Sequence, residues 1–340
     1  MSEKPDRIAE LDVLRGAAAV SVMIFHYLVR YHELPGESVN KLGEYGVHLF
    51  FMISGFVIFM TLRNTRTAAD FVVSRASRLF PAYWAAVIIT ATVMAFIPPF
   101  EKNAVTLPQV LVNLTMLQQW LRVREVDGVY WTLAIELSFY GWMFLVFKLR
   151  ALNRIELIGT VWIAVAVFAR AWERMQMVVT TPDPGIIPAV ISRTFILEHA
   201  HLFVAGMVFF RIRSEGFTLG RAALLAGCLF TQLFIHGPHS TPFLGIFFGI
   251  FLLIAKRKLG WLALRPLVFF GSISYPLYLV HQNIGYAVMR QLPGQVQWVQ
   301  VTAAISIAIL LAVILHYIIE KPALRLLRGW YAARRTNGGS

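Results

Sequence analysis

The chain has 340 residues, of which 58% are hydrophobic and only 14% charged, and its formal net charge is +13 at pH 7. This composition is typical of an integral membrane protein surrounded by lipid, and it excludes a large soluble protein. The positive charge does not indicate a nucleic-acid partner, because Lys and Arg accumulate in the cytoplasmic loops of membrane proteins. The single cysteine, Cys228, excludes an internal disulfide and a cysteine-based metal site.

Apolar runs of spanning length follow one another along the chain. They cover about residues 11–31, 45–62, 80–98, 129–147, 156–173, 195–210, 221–236, 241–255, 267–289 and 298–319. With the N-terminus in the cytoplasm, 22 of the 31 Lys and Arg residues lie on the inner side, so both termini are predicted to be cytoplasmic. The sequence therefore predicts an all-α polytopic transmembrane helical bundle of about ten spanning helices.

The remaining segments fit one membrane domain. Residues 99–128 are too polar to span, and 107–121 are expected to form a helix along the outer interface. Residues 180–185 are predicted to form a turn-rich outer loop. A single domain is predicted over residues 1–328, followed by a disordered cytoplasmic tail over 329–340.

The first apolar run carries two ionisable residues, Arg15 and His26, that are eleven positions apart. On an α-helix, eleven steps of about 100° return both side chains to one face, roughly 16 Å apart along the axis. Ionisable groups inside a spanning helix are costly and therefore indicate function. The alternative is a structural histidine that bonds to a neighbouring helix.

Six motifs occur in order between residues 11 and 322. They are 12–16 (DVLRG) with His26, 46–56 (GVHLFFMISGF), 75–84 (RASRLFPAYW), 131–140 (WTLAIELSFY), 272–281 (SISYPLYLVH) and 320–322 (EKP). Each is weak alone, but together they closely resemble the acyltransferase 3 family of membrane acyltransferases. The resemblance covers nearly the whole chain. It implies O-acylation of a sugar-containing acceptor by cytoplasmic acyl-CoA, with acetyl-CoA the expected donor, in the bacterial inner membrane.

The resemblance and the chemistry of the side chains together predict roles for individual residues. His26 corresponds to the catalytic histidine, acting as a base or as a transient acyl carrier. Glu136, in the middle of its helix, is expected to orient His26, the alternative being an ion pair with an arginine. Arg15, Arg75 and Arg78 are expected to bind the phosphates of acyl-CoA, although the positive-inside rule alone also predicts arginines at these positions.

Aromatic residues and histidines on the outer side are the candidates for the acceptor. Trp131 is a candidate for stacking on a sugar, and Tyr140 shares the helix face of Glu136, although a membrane interface also recruits these residue types. Tyr275 and His281 belong to a polar stripe that forms either a cavity wall or bonds between helices. His48 completes the predicted acceptor-binding residues, which are His48, Trp131, Tyr140, Tyr275 and His281.

No metal is expected, because neither Glu198 with His199 and His201 nor the pair His236 and His239 has a spacing that gathers three ligands on one face. The alternative function is a transporter or flippase of a glycan or lipid-linked precursor, whose signature is inverted repeats and paired broken helices. A membrane sensor or scaffold is a further alternative, and it needs no His26 on the face of Arg15.

Overall fold

The computed structural model describes residues 8–32, 43, 45–97, 105–179 and 186–337. Its regular elements over these residues are helices, without a strand, which confirms the all-α prediction. In chain order the α-helices are α1 (Ala9–Phe25), α2 (Gly46–Arg63), α3 (Ala68–Phe96), α4 (Leu107–Leu114), α5 (Trp131–Lys148), α6 (Ile155–Val179), α7 (Ile186–Thr194), α8 (Ala200–Glu215), α9 (Leu219–His236), α10 (Thr241–Ala255), α11 (Arg265–Val280), α12 (Gln282–Arg290), α13 (Gln297–Ile314) and α14 (Lys321–Asn337). The outer loop predicted over 180–185 lies outside the described residues.

Among the described residues, seven helical segments are long and apolar enough to cross a membrane. They are Ala9–Tyr31, Gly46–Arg63, Ala68–Phe96, Gly128–Lys148, Leu152–Met175, Leu219–His236 and Gln297–Arg334. The other three predicted runs correspond to α8 and α10, of 16 and 15 residues, and to the pair α11 and α12, of 16 and 9 residues. The total of ten spans and the orientation of the termini stay predictions.

Helix α3 begins earlier than the apolar run 80–98 predicts. Thr67 and Asp70 form a capping box, in which Thr67 Oγ1 accepts from the backbone N of Asp70 at 3.2 Å and the Asp70 carboxylate accepts from Thr67 N at 3.0 Å. Pro81, the second residue of the apolar run 80–98, lies inside α3. Arg75 and Arg78 are therefore part of the helix and do not precede it.

Packing divides the chain into two compact units whose segments alternate along the sequence. The first unit comprises the described residues of Met1–Arg15, Tyr45–Thr65 and Ile135–Arg265. The second comprises those of Gly16–Glu44, Arg66–Ala134 and Pro266–Ser340. Because the segments alternate, neither unit is a separate stretch of sequence, and the single-domain boundary over 1–328 stays a prediction.

The first unit is organised around the close approach of α2 and α8. A Cβ on Gly55 would collide with the backbone of Phe203, and one on Gly206 with the backbone of Met52. Small residues allow helices in a membrane to approach at backbone distance, where dispersion contacts are dense. Phe139 of α5 stacks on Phe203 with ring centroids 4.2 Å apart, which joins a third helix to this pair.

In the second unit, buried tyrosines join α3 to its neighbours. Tyr83 donates to the carbonyl oxygen of Asn113 at 2.8 Å, and Tyr275 donates to that of Leu79 at 2.9 Å. The interfacial helix predicted over 107–121 ends at Leu114, because Met116 takes a positive φ of 63° that interrupts the helix.

The C-terminal helix reaches further than expected. Residues 329–340 are predicted to be disordered, but α14 continues to Asn337, and 338–340 lie outside the described residues. The Tyr331 hydroxyl donates to Asp70 at 3.0 Å, and the Arg334 guanidinium lies 4.0 Å from the ring centre of Trp330. The Tyr331 hydrogen bond attaches the last turns of α14 to α3, and the cation–π contact joins two successive turns within α14.

Candidate active site

His26 lies where the first helix changes its hydrogen-bonding pattern. Helix α1 ends at Phe25, and His26 begins a π-helical turn that ends at Tyr31. Such turns occur frequently at functional sites. His281, between α11 and α12, lies directly against this turn: its Nε2 is 3.2 Å from His26 Nδ1, and the ring centroids are 5.0 Å apart. The structure thus brings together two residues that the sequence selects separately.

Neighbouring carbonyl groups determine which nitrogen of each imidazole carries hydrogen. His26 Nδ1 lies 2.9 Å from the carbonyl oxygen of Val22, and because that oxygen can only accept, Nδ1 is the protonated nitrogen. His281 Nδ1 faces the carbonyl oxygens of Tyr278 at 2.9 Å and Leu277 at 3.3 Å, so it also donates. His281 Nε2 then accepts from His26 Nδ1. The lone pair of His26 is left on Nε2, the atom able to take a proton.

Tyr27 fixes the backbone of His281. Its hydroxyl is fully buried and donates to the His281 carbonyl oxygen at 2.6 Å. Gly285 provides the space, because a Cβ there would collide with the Tyr27 ring. Since Tyr27 follows His26 in the chain, this bond couples the π-helical turn to the residue that contacts it.

Asp127 anchors the beginning of α12. Its carboxylate accepts from the backbone N of Asn283 at 3.0 Å and from that of Val129 at 3.2 Å, while Asn283 Nδ2 donates to the carbonyl oxygen of Val126 at 2.9 Å. Burial raises the pKa of Asp127 to about 7, against the lowering effect of the two backbone N–H groups. Because His281 immediately precedes α12, this anchor also restricts the position of His281.

Two aromatic residues predicted for the acceptor, Trp131 and Tyr275, lie in the second unit. Trp131 begins α5 with 36% of its surface exposed. The Tyr275 hydroxyl joins α11 to α3, which is one of the two roles that the sequence leaves open. The Tyr278 hydroxyl lies 2.9 Å from Thr132 Oγ1, and its ring centre is 5.7 Å from that of His281.

Glu136 belongs to the first unit, where hydroxyl groups hold its carboxylate. Tyr140, one turn later on α5, donates to Glu136 Oε1 at 2.6 Å, so the two residues share a helix face as predicted. Ser54 of α2 donates to the same oxygen at 3.0 Å. Within the described part of this unit the carboxylate bonds to hydroxyls, which differs from the arginine pairing considered as its structural alternative.

His48 lies in a cluster of imidazoles in the first unit. Its ring centre is 5.6 Å from that of His236 and 6.2 Å from that of His199, while His236 lies 5.8 Å from His201. His201 Nε2 is 2.6 Å from the side-chain oxygen of Gln232. Over the described ranges, no group of three or more His, Cys, Asp or Glu side chains has the arrangement needed to hold a metal ion.

The predicted donor-binding arginines occupy both units. In the first unit, Arg15 Nη1 lies 3.2 Å from Asp12 Oδ1, the pairing that their three-residue spacing predicts. In the second unit, Arg328 of α14 joins Arg75 and Arg78 on α3.

Serine side chains and carbonyl groups organise this second cluster. Arg75 Nη2 donates to Ser74 Oγ at 3.0 Å, and Arg328 Nη2 donates to the Ser74 carbonyl oxygen at 3.4 Å. Arg328 Nε also donates to Ser77 Oγ at 3.5 Å. The positive charges of Arg78 and Arg328 are close enough to repel each other. We call Arg75, Arg78 and Arg328 the arginine cluster.

Several residues of this arrangement were not singled out from the sequence, namely Tyr27, Asp127, Asn283 and Arg328. Asp127 had a usable signal, since it is an acidic residue at the boundary between a polar segment and an apolar run. The sequence around Tyr27 and Asn283 gives no signal of their roles, because each residue acts through a backbone contact with a distant part of the chain.

Comparison with known proteins gives a consistent result. The profile of the acyltransferase 3 family, described as an acyltransferase domain, matches residues 8–317. The chain is 27% identical to the exopolysaccharide production protein ExoZ of Rhizobium meliloti (strain 1021), over 88% of this chain and 93% of that protein. It is 23% identical to the acyltransferase MdmB of Streptomyces mycarofaciens, over 94% and 92% of the two chains.

A viral protein is also similar to this chain. A putative acetyltransferase, ORF330, of the Acidianus two-tailed virus is 24% identical over 81% of this chain and 82% of its own length. No solved structure matches the chain. The family profile covers nearly the whole sequence, including His26 and His281, and the chain therefore belongs to the acyltransferase 3 family of membrane acyltransferases.

Proposed function

We propose that this protein transfers an acetyl group from cytoplasmic acetyl-CoA to a hydroxyl group of a carbohydrate-containing acceptor, in the bacterial inner membrane. Family membership supports acyl transfer in general. The observation that carries the specific proposal is the pair of His26 and His281, in which carbonyl groups hold both Nδ1–H bonds and leave the lone pair on His26 Nε2. An O-acyltransferase requires a base of this kind.

In the proposed reaction, the oxygen of the acceptor hydroxyl attacks the thioester carbonyl while His26 Nε2 takes the proton of that hydroxyl. The new C–O bond forms, the C–S bond breaks, and the leaving thiolate takes the proton back from Nε2. The imidazolium that forms in between is stabilised through Nδ1–H, which donates to the Val22 carbonyl and to His281 Nε2. These acceptors have the role that a carboxylate has in a hydrolase triad.

The same nitrogen also permits a two-step route. His26 Nε2 attacks the thioester carbonyl, the C–S bond breaks and CoA leaves as the thiolate. The acceptor hydroxyl oxygen then attacks the acyl-imidazolium, the C–N bond breaks and returns the lone pair to Nε2, and the hydroxyl proton passes to the thiolate. Both routes need an uncharged His26 whose Nε2 is unprotonated. His281 is in either case a positioning residue, which acts through His26. The role that the sequence predicts for Glu136 toward His26 stays a prediction.

We propose that the arginine cluster binds the phosphates of acetyl-CoA, and the role in donor binding that the sequence predicts for Arg15 stays a prediction. The like charges that α3 and α14 bring together in the arginine cluster repel each other, and a bound phosphate relieves this repulsion through charge-assisted hydrogen bonds. Arg328 strengthens the proposal for Arg75 and Arg78, because it contributes a third guanidinium group from α14 beside Ser74 and Ser77.

The names of the relatives support a sugar-containing acceptor. One is named for exopolysaccharide production, and another is an acyltransferase of a Streptomyces species. The acceptor classes that we propose are an exopolysaccharide, a lipid-linked glycan and a glycosylated metabolite. Trp131, exposed at the beginning of α5, is proposed to stack on a sugar ring.

The test combines an assay of the purified protein with an analysis of cells. Protein in lipid nanodiscs is given acetyl-CoA labelled in the acetyl group, and release of free CoA is followed with and without glycans from the host cell. Mass spectrometry of surface glycans and secreted metabolites, with and without the gene, identifies the acceptor. We expect CoA release and a glycan that loses 42 mass units per acetyl group when the gene is deleted. A protein that leaves acetyl-CoA intact under all these conditions would contradict the proposal and favour a transporter.

A further inference from the structure

We propose that a cavity in the second unit is the acceptor site and that it recognises a sugar unit carrying an anionic group; this rests on the function proposed above. The cavity has a volume of about 330 Å³. The lining side chains on which the argument depends are Arg124, Arg290, Gln282, Asn283, Tyr286 and the backbone at Gly128. We call this space the anion cavity.

The anion cavity is lined by residues that neighbour the histidine pair. Gln282 and Asn283 directly follow His281 in the chain, and both line the cavity. Tyr286, one turn further along α12, donates to the carbonyl oxygen of His26 at 3.4 Å. A ligand in the cavity therefore contacts the residues that surround the proposed base.

The charges around the anion cavity favour a negative ligand. Arg124 and Arg290 both line it, and guanidinium groups bind carboxylates and phosphates through paired hydrogen bonds. Among the described lining residues, Glu125 contributes a carboxylate, which accepts a short hydrogen bond from the side-chain amide of Gln119. Two guanidinium groups in the described lining therefore favour a ligand that carries an anionic group.

The size and the amide groups of the anion cavity indicate a sugar. Ligand sites have volumes of roughly 300–1,000 Å³, so this cavity is at the small end and suits one substituted sugar ring better than a whole CoA molecule. A Cβ at Gly128 would collide with the side-chain amide of Gln282, so the glycine makes room for that amide at the cavity wall. Amides and a tyrosine hydroxyl are typical partners of sugar hydroxyl groups.

Two kinds of acceptor provide an anion beside a sugar hydroxyl. One is an acidic sugar with a carboxylate, such as a uronate. The other is a sugar joined to a phosphate, as in a lipid-linked precursor. Both present the same chemistry to Arg124 and Arg290, and they differ in the geometry and charge of the anion.

Binding of small probes to the full-length protein in nanodiscs tests this proposal without requiring catalysis. The probes are methyl β-glucoside, methyl β-glucuronide and glucose 1-phosphate, and their affinities are measured by ligand-observed NMR. We expect at least one of the two anionic probes to bind about ten times more tightly than the neutral glucoside, as charge-assisted bonds require. The ratio between glucuronide and phosphate identifies the source of the anion. Equal affinity for all three probes, or no binding of an anionic probe, would overturn the proposal.

Variants assign the binding to the anion cavity. Arg124 and Arg290 are exposed, so Arg124→Gln and Arg290→Gln leave the fold intact. Each variant is expected to lower the affinity for the anionic probe about tenfold and to leave the affinity for methyl glucoside unchanged. The matched control is Arg122→Gln, an exposed arginine two positions away that does not line the cavity. An equal effect of Arg122→Gln, or a weakened affinity for acetyl-CoA in the cavity variants, would contradict the assignment.

The same samples separate this proposal from the proposed function. If the parent protein releases CoA from acetyl-CoA but binds no anionic probe, the anion cavity is wrongly assigned and the acyltransferase proposal stands. If it binds anionic probes through Arg124 and Arg290 but never consumes acetyl-CoA, the acyltransferase proposal fails, and with it the assignment of the cavity to an acyl acceptor.

Discussion

Each of the two units brings histidine side chains together, but their hydrogen bonds differ. In the second unit, His26 and His281 meet through one nitrogen each, and backbone carbonyls hold both Nδ1 atoms. In the first unit, His48, His199, His201 and His236 pack ring against ring, with Nε2 of His201 facing Gln232 and Nε2 of His236 facing the carbonyl of Glu198.

The two groups differ in which ring nitrogen keeps the lone pair. In the cluster of the first unit, Nε2 of His201 and of His236 faces an amide oxygen or a carbonyl oxygen and therefore carries the hydrogen, so the lone pair of each ring lies on Nδ1. In the pair of the second unit, the Nδ1 hydrogen bonds direct Nε2 of His26 away from its partner, as a general base requires. Proximity of imidazoles is therefore a weaker indicator of catalysis than the acceptors that fix their tautomers.

The largest change in turnover is expected when one histidine of each group is replaced and the two variants are compared. His26→Gln keeps a polar side chain of similar size but removes the basic nitrogen, so turnover should fall by roughly 10²–10⁴-fold. His236→Gln, in the cluster of the first unit, should retain most of the parental turnover. Release of CoA from acetyl-CoA at saturating acceptor measures both. If His26→Gln kept half of the parental rate, His26 would be structural and the comparison would fail.

A smaller effect is expected for the partner of His26. His281→Phe removes the nitrogen that accepts from His26 Nδ1, and loss of a hydrogen bond to a charged intermediate should lower kcat about tenfold. The KM for acetyl-CoA should not change, because His281 does not contact the donor in the proposed mechanism. His281→Gln, which restores an acceptor, should recover part of kcat. Equal loss in both variants would show that the residue only fills space.

The arginine cluster should affect donor binding and not chemistry. Arg75→Ala combined with Arg78→Ala removes two charge-assisted partners of the CoA phosphates, so the KM for acetyl-CoA should rise about tenfold while kcat stays near the parental value. Lys256→Ala combined with Lys258→Ala removes two exposed charges from the first unit and serves as the matched control. Unchanged KM at low salt in the Arg75 and Arg78 double variant would reject the proposed donor site.

The smallest effect concerns pH and the anchor of α12. Because burial raises the pKa of Asp127 to about 7, the folded state holds a proton that the unfolded chain releases near pH 4. This contribution to stability is complete below pH 4 and is lost as the pH rises through 7. The melting temperature of the parent should therefore fall by a few degrees between pH 5.5 and 8, and Asp127→Asn should flatten this dependence. An identical slope in Asp127→Asn would contradict the assignment. The control is Glu173→Gln, at a partly exposed carboxylate of α6 that lies 3.1 Å from Arg170.

Much of the fold could be predicted from the sequence, because apolar runs and helix signals are local. Each of the ten runs contains a described helix, and the pairing of Arg15 with Asp12 follows from their spacing. The apolar run does not predict that α3 begins at Ala68, because the capping box at Thr67 lies in a polar segment outside that run. The helical end of α14 was missed because it depends on Tyr331 reaching Asp70.

The geometry of the candidate site could not be predicted for the same reason. His26 and His281 are 255 positions apart, and no periodicity relates residues at that distance. The π-helical turn that begins at His26 has no signal in the local composition. The position of His281 is further determined by Tyr27 and Asp127, whose bonds to distant backbone groups arise only when the helices pack.

The most direct test of the central claim is the hydrogen position on His26. Protein labelled with ¹⁵N at histidine, placed in nanodiscs at neutral pH, gives separate resonances for Nδ1 and Nε2, and His26→Gln identifies those of His26 by their absence. Our account predicts a hydrogen on Nδ1, directed at the Val22 carbonyl, and an unprotonated Nε2. A His26 that carries its hydrogen on Nε2, with an unprotonated Nδ1, would contradict it, because the nitrogen proposed to take the proton would already hold one.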